Sequence, residues 1–203
     1  SSGGFLEIAK LATAQFRSVS IPPLLFFLLA TVTQLALGLV VLLRALFRAL
    51  PKGVLQISFK HPKRDLTAIL LYGVLILGVS YLYDFVLLKL GVHIPPQFVF
   101  DEHLSSQFGF VLAAAVIGAP VFEELFFRGY LLTIMAASRP IFGLVVSSLI
   151  FAAIHLHLIY FPILFFLGLV LGYSYLKTKN ILVPITIHAV NNLIAFLILL
   201  GQS

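Results

Sequence analysis

The 203-residue chain is 61% hydrophobic and only 10% charged, with a mean hydropathy of +1.14 and a net charge of +6. An average soluble domain carries about 25% charged residues, so this composition excludes a soluble globular protein, a disordered tail and a nucleic-acid-binding module. It defines an integral membrane protein, and apolar runs of about 20 residues predict an all-α polytopic bundle of about six transmembrane helices rather than a lipid-facing barrel.

Residues 1–20 mix Glu7, Lys10 and Arg17 with apolar side chains and read as an interfacial N-terminal segment. The opening Ser-Ser-Gly-Gly is given no weight, and Met135 is the only methionine, so Ser1 is not read as a translation start. Residues 21–107 form an N-terminal unit of two transmembrane helices and their loops. Pro22-Pro23 opens the first span, 21–43, which ends in Arg44 and Arg48. The 44–64 loop is the most basic part of the chain, with Lys52, Lys60, Lys63 and Arg64. The second span is 66–90, and a polar loop with Asp101 and Glu102 follows to Gln107. Residues 108–203 form the rest. The apolar stretch 108–137 exceeds one crossing, and Pro120 is expected to kink it, because proline removes a helical donor and clashes with the preceding turn. Three further spans follow at 141–155, 160–176 and 181–200. Arg139, Lys177 and Lys179 lie on the same alternate connections as the 44–64 loop, which predicts a cytoplasmic location for that side.

Charged and polar groups inside spans are costly and mark candidate sites. Glu124 and Arg128 are four apart and share a helix face, so they can pair. Glu123 points about 100° away from Glu124 by the helical period. It is left without that arginine and suits a general base. His155, near the end of its span and next to His157, reads on its own as an interfacial residue. His188 and Asn192, also four apart, put two polar tips on one face of the last span. Glu, His, His and Asn on three helices admit two chemistries. One is a carboxylate that activates water, with imidazole and amide donors at an oxyanion. The other is a metal held by Glu and two His, which lacks the usual His-Glu-x-x-His spacing. With no cysteine, thiol chemistry and thiolate metal sites are excluded. No serine sits in a Gly-x-Ser-x-Gly elbow. Asp84 after Tyr83 has no second intramembrane aspartate to share a proton with.

Glu123-Glu124-x-x-x-Arg128, Phe151-x-x-x-His155 and His188-x-x-x-Asn192, in this order, resemble the three motifs of the CPBP family, which includes the type II CAAX prenyl endopeptidases and relatives linked to bacteriocin self-immunity. The resemblance covers about residues 108–196. It implies a CPBP-like catalytic core over 108–203 and a glutamate-dependent, metal-independent intramembrane endopeptidase with no cofactor. It implies Glu123 as the base with His155 assisting, His188 and Asn192 at the oxyanion, and Glu124, Arg128 and Phe151 in support. The expected partners are the lipid bilayer and a membrane-associated protein or peptide substrate, with no nucleic acid. A non-catalytic role as scaffold, immunity or assembly factor in a larger membrane complex is the competing reading, and a proton path the third.

Overall fold

The computed structural model describes residues 23–46, 56–92 and 108–201. The interfacial segment expected over 1–20, the loop 93–107 and most of the basic loop before residue 56 lie outside the described residues. What is described is helical, in six pieces. They are α1 (Pro23–Leu46), α2 (Pro62–Lys89), a continuous helical run α3 (108–136), α4 (Pro140–Ile154), α5 (Phe161–Thr178) and α6 (Leu182–Leu200). The expected spans and these helices agree to within a few residues. The first turn of α2, α4 and α5 contains proline, whose missing N–H is an orphan there in any case.

Helices α2 and α5 are long and apolar enough to cross a membrane, and α1, α4 and α6 hold shorter apolar segments. Large apolar side chains such as Leu70, Val74, Ile117 and Ile141 stand exposed on their helices. Polar side chains, Glu124, Arg128, His188 and Ser174 among them, are buried between the helices. In water this arrangement would be costly. It suits a helical membrane bundle, in which lipid takes up the apolar exterior.

The core gathers Ile76 of α2, Phe127 of α3, Phe151 of α4, Leu167 and Leu171 of α5, and Val183 and Ile187 of α6. α4 and α5 pack backbone to backbone. A Cβ at Gly168 would stand 3.0 Å from Ser148 Cα, so only glycine lets the two helices approach this closely. The same glycine leaves its carbonyl within reach of a neighbour on α3.

The run α3 is not a plain α-helix. Residues Ala114–Gly118 and Leu125–Leu132 are π-helical, and Ala119–Glu124 between them is α-helical. The irregularity expected at Pro120 is thus a wide turn immediately before it. The Ala119 N–H bonds back to the Ala114 carbonyl, five residues earlier. In that register the Ala115 carbonyl would need the N–H of residue 120, which proline lacks.

Candidate active site

α3 presents Glu123 and Glu124 from the α-helical turn between its two π segments, and Arg128 from the second of those segments. The Arg128 Nη1 donates to Glu124 Oε1 at 2.7 Å, with both side chains essentially inaccessible. Its Nη2 donates to the Gly168 carbonyl at 3.1 Å, and its guanidinium lies 4.5 Å from the centre of the Phe151 ring. The buried cation is therefore held by a carboxylate, a backbone carbonyl and an aromatic face, the partners a desolvated guanidinium needs.

The same Glu124 Oε1 lies 2.9 Å from Nδ1 of His188 on α6. A carboxylate already accepting from arginine accepts here too, so Nδ1 carries the hydrogen. The other ring nitrogen, Nε2, faces Glu123 Oε2 at 4.0 Å. Glu123 Oε2 is buried and, among the described residues, has no hydrogen-bond partner. Two adjacent carboxylates thus flank one imidazole, the first fixing its orientation and the second left open.

Phe151 is fully buried and touches both candidate histidines. Its ring centre is 4.7 Å from His155 and 5.9 Å from His188. His155 caps the end of α4, where its Nδ1 contacts the Phe151 carbonyl at 2.7 Å. A carbonyl only accepts, so Nδ1 donates and Nε2 is left open. No hydrogen bond or ion pair joins His155 to Glu123 among the described residues. Leu156 follows with φ +52 in the left-handed region, which turns the chain sharply after His155.

Asn192 does not stand free. Its Nδ2 donates to the Ala115 carbonyl at 2.9 Å, the acceptor that Pro120 leaves without a helical donor. One of its two amide hydrogens is so occupied, and the other is available. The structure therefore brings Glu123, Glu124, Arg128, Phe151 and His188 into one cluster. It sets Asn192 against the first π segment and His155 on the outer side of Phe151. No cluster of three His, Asp or Glu side chains arranged to hold a metal ion is found among the described residues.

A second polar network escaped the sequence reading. Asn180 Nδ2 donates to Asp65 Oδ2 and to the Ser58 carbonyl, each at 2.8 Å, while its Oδ1 accepts from the Ser58 and Leu182 N–H groups. Arg64 binds Asp65 at 2.8 Å and the Thr178 carbonyl at 2.6 Å. These bonds tie the start of α2 to the α5–α6 turn. The available signal was an aspartate among basic residues and an asparagine in a turn, with nothing local to pair them.

Comparison with known proteins covers the same part of the chain. Residues 105–194 match the family model described as type II CAAX prenyl endopeptidase Rce1-like. The membrane-embedded CAAX protease MroQ of Staphylococcus aureus (strain USA300) is 34% identical over 90 residues, 41% of this chain and 36% of that protein. The match thus spans little more than a third of the length of that relative. No solved structure matches the chain. The stretch 105–194, which reaches into α6 and carries all three motifs, is thus similar to the Rce1-like family.

Proposed function

We propose that the protein is an intramembrane endopeptidase that cleaves a membrane-associated protein or peptide with water activated by Glu123. The observation that carries this reading is the imidazole of His188 held by Glu124 and facing a buried, otherwise unpartnered Glu123. A proton on His188 Nε2 makes the ring a cation between two carboxylates. With Arg128 included, the four side chains are then neutral overall, as a low-dielectric interior requires. In this state Glu123 is ionised. It takes a proton from water as the water oxygen bonds to the scissile carbonyl carbon. The Nε2–H of His188 and the spare amide hydrogen of Asn192 donate to the oxyanion that forms. Glu123 then returns its proton to the departing amine as the C–N bond breaks. His155, across Phe151 from this cluster, is assigned a supporting role, its open Nε2 available to the water or the substrate. The scheme calls on no metal.

The reading is tested by peptide cleavage in proteoliposomes, with prenylated and unprenylated membrane-anchored peptides as substrates. Wild type is compared with Glu123→Gln and His188→Ala, each with and without a chelator. Cleavage is expected in wild type only and is expected to survive the chelator. Full cleavage by Glu123→Gln would overturn the assignment of the base, and loss on chelation would replace the scheme with a metal site.

A further inference from the structure

The end of the bundle that carries the α2 start, the α3–α4 turn and the α5–α6 turn forms an open cavity of about 370 Å³. Its walls include Gln56, Thr133, Tyr175, Lys179 and the apolar Ala136 and Pro140. It lies about ten residues of helix beyond Glu123, roughly 15 Å along the α3 axis, and belongs to a different part of the molecule from the candidate active site. No acidic side chain lines it. The nearby acid, Asp65, is consumed by Arg64 and Asn180. Lys60, Lys63, Arg64, Arg139, Lys177 and Lys179 all belong to this end.

Of the described cations at this end, Lys179 is the one that lines the cavity. Arg64 is ion-paired, and the Lys177 ammonium lies over the Tyr173 ring. Among the described residues the Lys179 ammonium has no ion pair or hydrogen bond. Its backbone is left-handed, φ +51, with its N–H bonded to the Tyr175 carbonyl. That is the position after a helix where glycine is the favoured residue. A lysine is held there against its backbone preference, at the wall of a cavity with amide and hydroxyl groups. Next to the lining residues, Ile134, Ile141 and Phe142 are exposed apolar side chains.

We propose that this cavity binds a phosphate group, supplied by the headgroup of an anionic membrane lipid. Lys179 provides the charge, and the Gln56 amide provides a polar contact. Ile134, Ile141 and Phe142 offer an apolar surface beside the cavity for the acyl chains. The volume falls within the range of about 300–1,000 Å³ of small-molecule sites. A general excess of basic residues at the cytoplasmic side would attract anionic lipid through any of its lysines alike. The cavity instead singles out Lys179 and an uncharged residue, Gln56.

The test uses the full chain in phosphatidylcholine nanodiscs with and without phosphatidylglycerol. It measures the thermal midpoint and the lipid retained in native mass spectrometry. Phosphatidylglycerol is expected to stabilise wild type and to be retained. Lys179→Gly keeps the left-handed backbone in its favoured residue, so it is expected to fold at least as well in phosphatidylcholine alone while losing about fivefold or more of the retention. Gln56→Leu is expected to lose retention without any change of charge, and Lys63→Gln to keep it. Equal losses in Lys179→Gly and Lys63→Gln, with Gln56→Leu unaffected, would overturn the site in favour of a diffuse basic surface. Stabilisation of the phosphatidylcholine sample by inorganic phosphate, abolished by Lys179→Gly, would uphold the phosphate site but overturn the lipid as its source.

Discussion

Glu124 reaches both Arg128 and His188, whereas Glu123, one residue earlier, reaches neither within hydrogen-bond distance. Replacing the two kinds of residue should therefore separate stability from chemistry. Removing one partner of a buried ion pair leaves an uncompensated charge, at a cost of about 3–5 kcal/mol. Arg128→Met is expected to lower the thermal midpoint sharply, and Glu123→Gln to leave it nearly unchanged while abolishing cleavage. Thermal scans beside proteoliposome assays check both, and a large destabilisation by Glu123→Gln would assign that carboxylate a structural role. A second test concerns Asn192, whose bond to the Ala115 carbonyl replaces one that Pro120 cannot make. In Pro120→Ala the restored N–H competes for that carbonyl. Asn192→Ala should then cost about 1 kcal/mol less than it does in the wild-type background. A double-mutant cycle reading additivity would break the link. The Glu124–Arg128 contact was legible in the sequence because the two residues share a helix at four-residue spacing. The contact of His188 with Glu124 was not, because it joins helices 64 residues apart, and only the resemblance to a family placed the two together.

The π segments of α3 show why the form of the helix was only half readable. Pro120 announces an irregularity, but several backbone registers would accommodate a missing donor. The one adopted is supported from another helix, by Asn192. The end of the second π segment is supported locally, by the Thr133 hydroxyl donating to the Arg128 carbonyl five residues earlier. The α4–α5 turn raises a different question, that of pH. The Tyr160 N–H donates to His157 Nδ1, so a folded His157 has its hydrogen on Nε2. Burial holds the imidazole below its ordinary range, against a backbone hydrogen bond that raises it, and His155 adds to the lowering. Protonation would displace the Tyr160 bond. A histidine lowered on folding contributes stability that is present above its unfolded pKa of about 6.5 and lost as pH falls through the folded value. The thermal midpoint is expected to fall between neutral pH and pH 5, less so in His157→Gln. Identical pH profiles for the two proteins would show that another group controls the decline.

The two ends of the bundle are pinned separately. At one, Arg64 at the start of α2 holds the Thr178 carbonyl at the end of α5. At the other, the Tyr83 hydroxyl donates to the Ile159 carbonyl just before α5 begins. α2 and α5 are thus antiparallel and tied near both tips. The 28 residues of α2 rise about 42 Å, more than the roughly 30 Å of a hydrocarbon core. Its first turn, with Lys63 and Arg64, and its last, with Lys89, can therefore lie among headgroups on opposite faces. Composition alone carried the class of this fold, since few soluble proteins are so poor in charge. The order of the helices followed from the length of the apolar runs. The pairing of helix ends did not, because it depends on Asp65 and Asn180, 115 positions apart. The proposed topology places the α2 start on the cytoplasmic side and the α4–α5 turn on the other. The chain has no cysteine, so single replacements read this without background. Lys60→Cys in the exposed approach to α2 and Leu158→Cys in the exposed α4–α5 turn are expected to react with a membrane-impermeant maleimide from opposite sides of intact cells or inverted vesicles. Labelling of both from one side would contradict a crossing by α2, and labelling with the sides exchanged would keep the crossing but reverse the orientation drawn from the basic loops.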